Sequence, residues 1–254
     1  MKNTLNIKAI NFNIKWKDKT ANFLKIESIL KHETADLFLL PEMFSTGFCM
    51  DAEEIADKNN ETLNWLKKLA NEKKAAICGS VSIQENEQYF NRMYFVKPDG
   101  EFEFYDKRHL FSYSGEDKVY TKGEIRKIVN FKGFRILLQV CYDLRFPVFA
   151  RNRNDFDLIL YVANWPESRI SAWETLLKAR AIENQSFVFG LNRIGTDGKN
   201  LVYPESSYCF DAEGKVISTL SSEIVSAELD LNQLQNFREK FPFLKDGDDF
   251  EINF

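Results

Sequence analysis

Histidine is nearly missing from this sequence. His32 and His109 are the two in 254 residues, which leaves no material for a histidine-rich metal centre. Cysteine is sparse and scattered, at Cys49, Cys78, Cys141 and Cys209, and no pair has metal-type or redox-type spacing. Free thiols in a reducing cytoplasm are the expectation. No stretch reaches the roughly 18 apolar residues that a membrane-spanning helix needs. The start, Met1 to Phe12, has neither a continuous apolar stretch nor a small-residue cleavage site, so no signal peptide is expected. Positive charge is not in excess. A formal net charge of -4 gives no electrostatic reason to expect nucleic acid as a partner. Internal repeats and linkers are also missing.

What is present is core-forming material. The chain is 44% hydrophobic and 14% aromatic, with 23 Phe, which argues against disorder. That suits one sizeable core, and a single domain over residues 1–254 is expected. Short apolar runs alternate with amphipathic helical patterns. Strands are expected at Leu5–Asn13, Ala35–Leu40, Ala75–Ile83, Asn91–Lys97, Phe134–Cys141, Leu158–Ala163, Phe187–Asn192, Ser207–Phe210 and Ile224–Leu229. Phe23, Leu24, Ile26, Ile29 and Leu30 recur at helical spacing, and helices are expected at Asn60–Glu72 and Ser171–Gln185. The second of these carries Trp173, Leu176, Leu177 and Ala181 on an apolar stripe. Pro98-Asp99-Gly100 and Asp211–Gly214 have turn chemistry. Sheets covered by helices, an α/β layered fold, is the architecture these patterns imply. The acidic and aromatic tail from Phe241 to Phe254 either wraps a neighbouring subunit or lies on the surface.

Three reactive side chains each stand just past an expected strand. Glu42 follows Leu39-Leu40-Pro41, Lys107 follows Phe102-Glu103-Phe104-Tyr105, and Cys141 follows Ile136–Val140. Sites in α/β sheets collect outside the carboxyl ends of strands, so the three could converge. Taken singly, each has an ordinary reading: a solvated glutamate, a surface lysine, a small buried hydrophobe.

The wider motifs change the weighing. Leu40-Pro41-Glu42-Met43-Phe44, Tyr105-Asp106-Lys107-Arg108-His109-Leu110-Phe111 and Val140-Cys141-Tyr142-Asp143-Leu144-Arg145-Phe146-Pro147 resemble, in order, the three signatures of the nitrilase superfamily of carbon–nitrogen hydrolases. Val162–Pro166 and Lys178–Gln185 resemble the second half of that superfamily, especially its omega-amidase-like branch. The resemblance spans nearly the whole chain and weakens after about Asp230.

The resemblance implies a four-layer α-β-β-α sandwich, usually a homodimer, with no metal or organic cofactor. It implies amide hydrolysis through a thioester. Cys141 would be the nucleophile and Glu42 the proton carrier. Lys107 would hold the oxyanion with the backbone N–H of Tyr142, and would favour the thiolate. Glu116, in Ser114-Gly115-Glu116, matches a second glutamate that the family sets beside the trio, to orient Lys107 or substrate. The substrate implied is a small amide bearing a carboxylate, of the 2-oxoglutaramate or 2-oxosuccinamate type.

Other residues are weighed on their own chemistry. Asn164 and Trp165 follow a strand and could line the pocket, with core packing as the alternative for Trp165. Arg169 is a candidate carboxylate partner or a plain surface cation. Asp143 and Arg145 are expected to brace the turn after Cys141, and His109 to pack or bond to backbone. Cys49, Cys78 and Cys209 are expected to be inert. The rival enzymes are a nitrilase or an N-carbamoyl amino acid hydrolase. The rival outside enzymes is a non-catalytic binding protein of the same fold, which would not need all of Glu42, Lys107 and Cys141. A lipoprotein acyltransferase is disfavoured because no membrane helix is expected.

Overall fold

The computed structural model describes residues 3–252. Fourteen strands alternate with five α-helices. In chain order they are β1 (Thr4–Ile10), α1 (Lys19–Leu30), β2 (Leu37–Leu39), α2 (Ala52–Ile55), α3 (Glu61–Lys73), β3 (Ala76–Glu85), β4 (Gln88–Val96), β5 (Phe102–Asp106), β6 (Ile128–Phe131), β7 (Phe134–Val140), β8 (Leu158–Ala163), α4 (Ile170–Asn184), β9 (Phe187–Asn192), β10 (Gly195–Thr196), β11 (Val202–Tyr203), β12 (Tyr208–Phe210), β13 (Thr219–Ser221), β14 (Ile224–Asp230) and α5 (Leu231–Lys240). One sheet runs β13-β14-β1-β2-β3-β4-β5 and another β12-β9-β8-β7-β6, with β10-β11 as a separate ribbon.

The layering follows from the period of two along each strand. Leu158, Leu160 and Val162 of β8 point into the cluster that also takes Leu5, Ile7 and Ala9 of β1, so the two sheets face each other. The alternate residues Ile159, Tyr161 and Ala163 meet Trp173, Leu177 and Ala181 of α4. On the far side, Ile10, Phe38 and Ile77 meet Ile26 and Leu30 of α1 and Leu63, Leu66 and Leu69 of α3. Strands buried on both faces read as unbroken apolar runs, which is why Leu158–Ala163 shows no alternation. The result is the expected α-β-β-α sandwich.

Helix ends are set by polar side chains. Asp18 accepts the Ala21 N–H to open α1. Asp57 accepts the N–H groups of Glu61 and Thr62 at 3.0 and 2.5 Å to open α3. Asp230 does the same for α5.

Several boundaries and assignments differ from the sequence reading. The first strand ends at Ile10, although Phe12 and Ile14 stay buried. Leu24 is 61% exposed, because α1 buries Ile26 and Leu30 four apart and turns Leu24 away. Helix α5 escapes the apolar-period test: in LNQLQNFREK only Leu231 and Leu234 are buried. Strand β13 is exposed throughout, so it carries no apolar signal. The tail lies back on its own chain. Gln185 Nε2 donates to the Phe241 carbonyl at 2.7 Å, Arg153 covers the Phe250 ring, and Ile252 packs against the central core. Asn253 and Phe254 lie outside the described residues. No helix among the described residues is long and apolar enough to cross a membrane.

Candidate active site

Glu42, Lys107 and Cys141 leave β2, β5 and β7 at one end of the facing sheets. The backbone is strained at two of these exits. Cys141 has φ +48° and Met43, directly after Glu42, has φ +46°. A side chain rarely adopts the left-handed region, so the fold must hold these residues there.

The carboxylate of Asp143 does much of that holding. Its Oδ2 accepts the Val140 N–H at 2.9 Å and the Tyr105 hydroxyl at 2.8 Å. Its Oδ1 accepts the His109 N–H at 3.0 Å and lies 2.7 Å from His109 Nδ1. Asp143 therefore ties the Cys141 turn to the segment after β5. His109 bonds to this carboxylate instead of to backbone, and its ring stacks on Phe146 at 4.0 Å. Cys141 opens a five-residue 3-10 turn, Cys141–Arg145. At such an N-terminus the first N–H groups, that of Tyr142 included, have no carbonyl partner within the turn.

Lys107 is fully buried between two fully buried carboxylates. Its Nζ donates to Glu42 Oε1 at 2.9 Å and to Glu116 Oε1 and Oε2 at 3.0 and 2.9 Å. Glu116 also accepts the Phe111 N–H at 2.6 Å. Glu42 Oε2 accepts the Asn164 N–H at 2.9 Å, and Asn164 Nδ2 donates to the Glu42 carbonyl at 2.6 Å. Cys141 Sγ stands 4.0 Å from the Asn164 carbonyl.

The electrostatics set burial and the carboxylates against Lys107. Burial works to lower the Lys107 pKa, but Glu116 and Glu42 outweigh it and hold the ammonium well above the usual lysine range. Burial is also the first cause that pushes the Cys141 thiol well up, and the Glu42 carboxylate is the second. Lys107 pulls the thiol down, yet it does not win. Lys107 thus favours the thiolate, as expected of it, while burial and Glu42 weigh more on the side of the thiol. Burial likewise raises Glu116, against the pull of Lys107.

A cavity of about 330 Å³ opens beside Cys141. Tyr142, Asn164, Trp165 and Arg169 all line it, as do Phe48, Phe111, Tyr113, Arg145, Lys199, Leu201 and Tyr203. Trp165 serves both of its readings: it walls the cavity and packs on Trp173 at 5.4 Å between ring centroids. Arg145 does not brace the turn. Its guanidinium lies over the Trp165 ring at 5.1 Å, while Arg169 lies over Phe111 at 5.1 Å. Neither forms an ion pair among the described residues. Asp197, the cavity's one carboxylate, is taken up by the N–H groups of Lys199 and Leu201 and the Tyr203 hydroxyl. Among the described residues no group of three or more His, Cys, Asp and Glu side chains is arranged to hold a metal ion.

Sequence reasoning missed Arg145 as a cavity residue and missed Asn91 entirely. Asn91 Nδ2 donates to Glu42 Oε1 at 2.8 Å and to Glu116 Oε1 at 3.2 Å. An asparagine in mid-strand, in QYFNRMYFV, gives no local signal of that role.

Residues 6–239 match the family model described as carbon-nitrogen hydrolase. The chain is 44% identical over 251 residues to the omega-amidase YafV of Yersinia enterocolitica, covering 97% of this chain and 98% of that protein. It is 32% identical over 250 residues to a 2-oxoglutaramate amidase of Bacillus subtilis, covering 94% and 96%. A crystal structure from Xanthomonas campestris, a CN-hydrolase superfamily protein with an arsenic adduct in the active site, superposes with a TM-score of 0.96 at 40% identity, covering 98% and 99% of the two chains.

Proposed function

The chain belongs to the carbon–nitrogen hydrolase family of the nitrilase superfamily and is an amide-hydrolysing enzyme; from that premise we propose that it is a cysteine-dependent omega-amidase. Its substrate is a small amide with a carboxylate at the far end, of the 2-oxoglutaramate or 2-oxosuccinamate kind. The observation that carries this reading is one cavity with Cys141 in its wall and two guanidiniums, Arg145 and Arg169, without carboxylate partners. A planar fork of donors suits a carboxylate, and a buried charge pair is the natural use of such a cation. The names of the relatives, omega-amidase and 2-oxoglutaramate amidase, point the same way.

The geometry supports a sequence of balanced steps. The Cys141 thiol gives its proton to Glu42 as Sγ attacks the amide carbon. The carbonyl oxygen becomes an oxyanion, stabilised by the Lys107 ammonium and the Tyr142 N–H. The tetrahedral adduct collapses, the C–N bond breaks, and Glu42 returns the proton to the leaving nitrogen, releasing ammonia. A thioester remains on Cys141. Glu42 then takes a proton from water, whose oxygen attacks the thioester carbon. The C–S bond breaks, Cys141 recovers its proton, and the carboxylic acid product departs. Because the resting thiol is neutral, proton transfer to Glu42 belongs to the attack itself. Glu116 contacts neither thiol nor substrate in this scheme and keeps Lys107 in place.

The reading extends to a homodimer in the cytoplasm, where four free thiols suit a reducing compartment. The direct test is ammonia release from a panel: 2-oxoglutaramate, a neutral amide of similar length, a nitrile and an N-carbamoyl amino acid. The expected order puts 2-oxoglutaramate first. Equal rates for the charged and neutral amides would remove the omega-amidase reading and leave amide hydrolysis.

A further inference from the structure

The buried half of the site holds two carboxylates and one cation, an imbalance that Lys107 cannot correct alone. Glu42, Glu116, Lys107 and Asn91 are all 0% exposed, so solvent supplies no donor to the excess charge. Asn91 supplies it. Its two Nδ2 protons go one to each carboxylate, Glu42 Oε1 at 2.8 Å and Glu116 Oε1 at 3.2 Å.

The amide cannot be turned over. Ser80, on the neighbouring strand β3, donates its hydroxyl proton to Asn91 Oδ1 at 2.8 Å, and Ser80 Oγ accepts the Met43 N–H at 3.0 Å. A flipped amide would set its oxygen against both carboxylates and its NH2 against a hydroxyl already committed. Ser80 therefore couples the strained backbone beside Glu42 to the amide that holds the Glu42 side chain.

We propose that Asn91 is a positioning residue for the reaction: a buried, uncharged donor that holds Glu42 and Glu116 on either side of Lys107 and so fixes where Glu42 meets the Cys141 thiol. The inference rests on the Glu42–Cys141 pair put forward above. A side chain that donates without adding charge is the one type that fits here. A second cation would bind the thiol's proton acceptor too tightly, and a carboxylate would add a third negative charge to the cluster.

Asn91→Asp is the test, since it is nearly isosteric and exchanges the donor for a charge. Far-UV circular dichroism and Tm establish that the variant is folded. The expected kcat falls by about a hundredfold or more with KM nearly unchanged, the cost of a misplaced proton carrier. Iodoacetamide alkylation of Cys141 should slow by about tenfold, because a nearby negative charge disfavours the thiolate. Cys141 is half-buried while Cys49, Cys78 and Cys209 are buried, so the label reports on Cys141. The second variant adds Glu116→Gln to Asn91→Asp, which returns the cluster to its native charge and offers an amide donor toward position 91. Its kcat should exceed that of Asn91→Asp alone by about tenfold, a sign reversal that a purely structural role does not produce. A folded Asn91→Asp with near-native kcat and alkylation, or a double variant slower than the single, overturns the inference. If the native protein cleaves no amide, the proposed function fails, and the alkylation comparison still decides the role of Asn91.

Discussion

The buried charge cluster and the mouth of the cavity beside Cys141 are built by opposite rules. In the cluster, Glu42, Lys107, Glu116 and Asn91 are fully buried and each is held by two or more hydrogen bonds. At the mouth, Tyr113 is 86% exposed, Lys199 is exposed, and Arg145 and Arg169 rest only on aromatic faces. The inner charges gain from rigidity, because preorganised dipoles stabilise a developing charge without reorganising. The mouth gains from unspent hydrogen-bonding capacity, because its cations are free to take a partner that the chain does not supply. On the proposed function, bond breaking is set by the sandwich and substrate choice by the loops that rim it.

Substitutions at the two regions should therefore differ in kind. The largest effect belongs to Cys141→Ala: turnover is abolished, with Tm close to native, and hydroxylamine added during turnover yields no hydroxamate. Measurable hydrolysis by this variant would show that the thiol is not the nucleophile. Next comes Lys107→Met in the buried cluster. It removes an oxyanion donor, worth about 10²–10³-fold in kcat. It also leaves two buried carboxylates without their cation, a loss of roughly 3–5 kcal/mol in stability. A Tm unchanged by this substitution would contradict the buried cluster itself.

At the mouth the comparison predicts selectivity changes without loss of stability. Arg145→Ala should raise KM for 2-oxoglutaramate far more than for a neutral amide of similar length, by an amount equivalent to roughly 2–5 kcal/mol if the pair is closed from solvent. Arg169→Ala should act in the same direction, since it lines the same cavity from the turn that opens α4. Equal losses for both substrates would make these arginines structural. The smallest effect concerns pH. Burial and Glu42 raise the Cys141 thiol, so its alkylation rate should keep climbing with pH beyond the range where a free thiol, near 8.5, levels off. The sign for stability is the reverse. The unfolded chain releases this proton first, so rising pH removes stability from the native state as it passes the ordinary thiol value. An alkylation profile levelling off near neutrality would instead indicate a preformed thiolate.

Legibility in the sequence followed the same division. The inner trio stood out because each member ends a short apolar run and sits in a specific local motif. Asn91 did not, since nothing within several residues of a mid-strand asparagine tells that two glutamates lie across from it. Arg145 was misread because it is two residues from Asp143. In the 3-10 turn the two side chains diverge, Asp143 toward Tyr105 and His109, Arg145 toward Trp165. The balance of charges on Cys141 was out of reach for a related reason: sequence shows that a lysine is available, but not that burial and Glu42 outweigh it.

By itself, the sequence determined the alternation of strands and helices, the short apolar runs that hold β2 and β8, and the three exits where reactive side chains stand. Those properties are local: they rest on periods of two and 3.6 and on motifs a few residues long. Only the tertiary structure decided which groups touch. The Asn164 N–H meets Glu42 across 122 positions of chain, and Lys107 meets Glu42 across 65. Contacts of that range depend on how two sheets stack and on which residues leave their ends together. Hydrogen bonding, burial and pKa direction at the site depend in turn on those contacts, because each is a property of the groups brought within a few ångströms and not of their order along the chain.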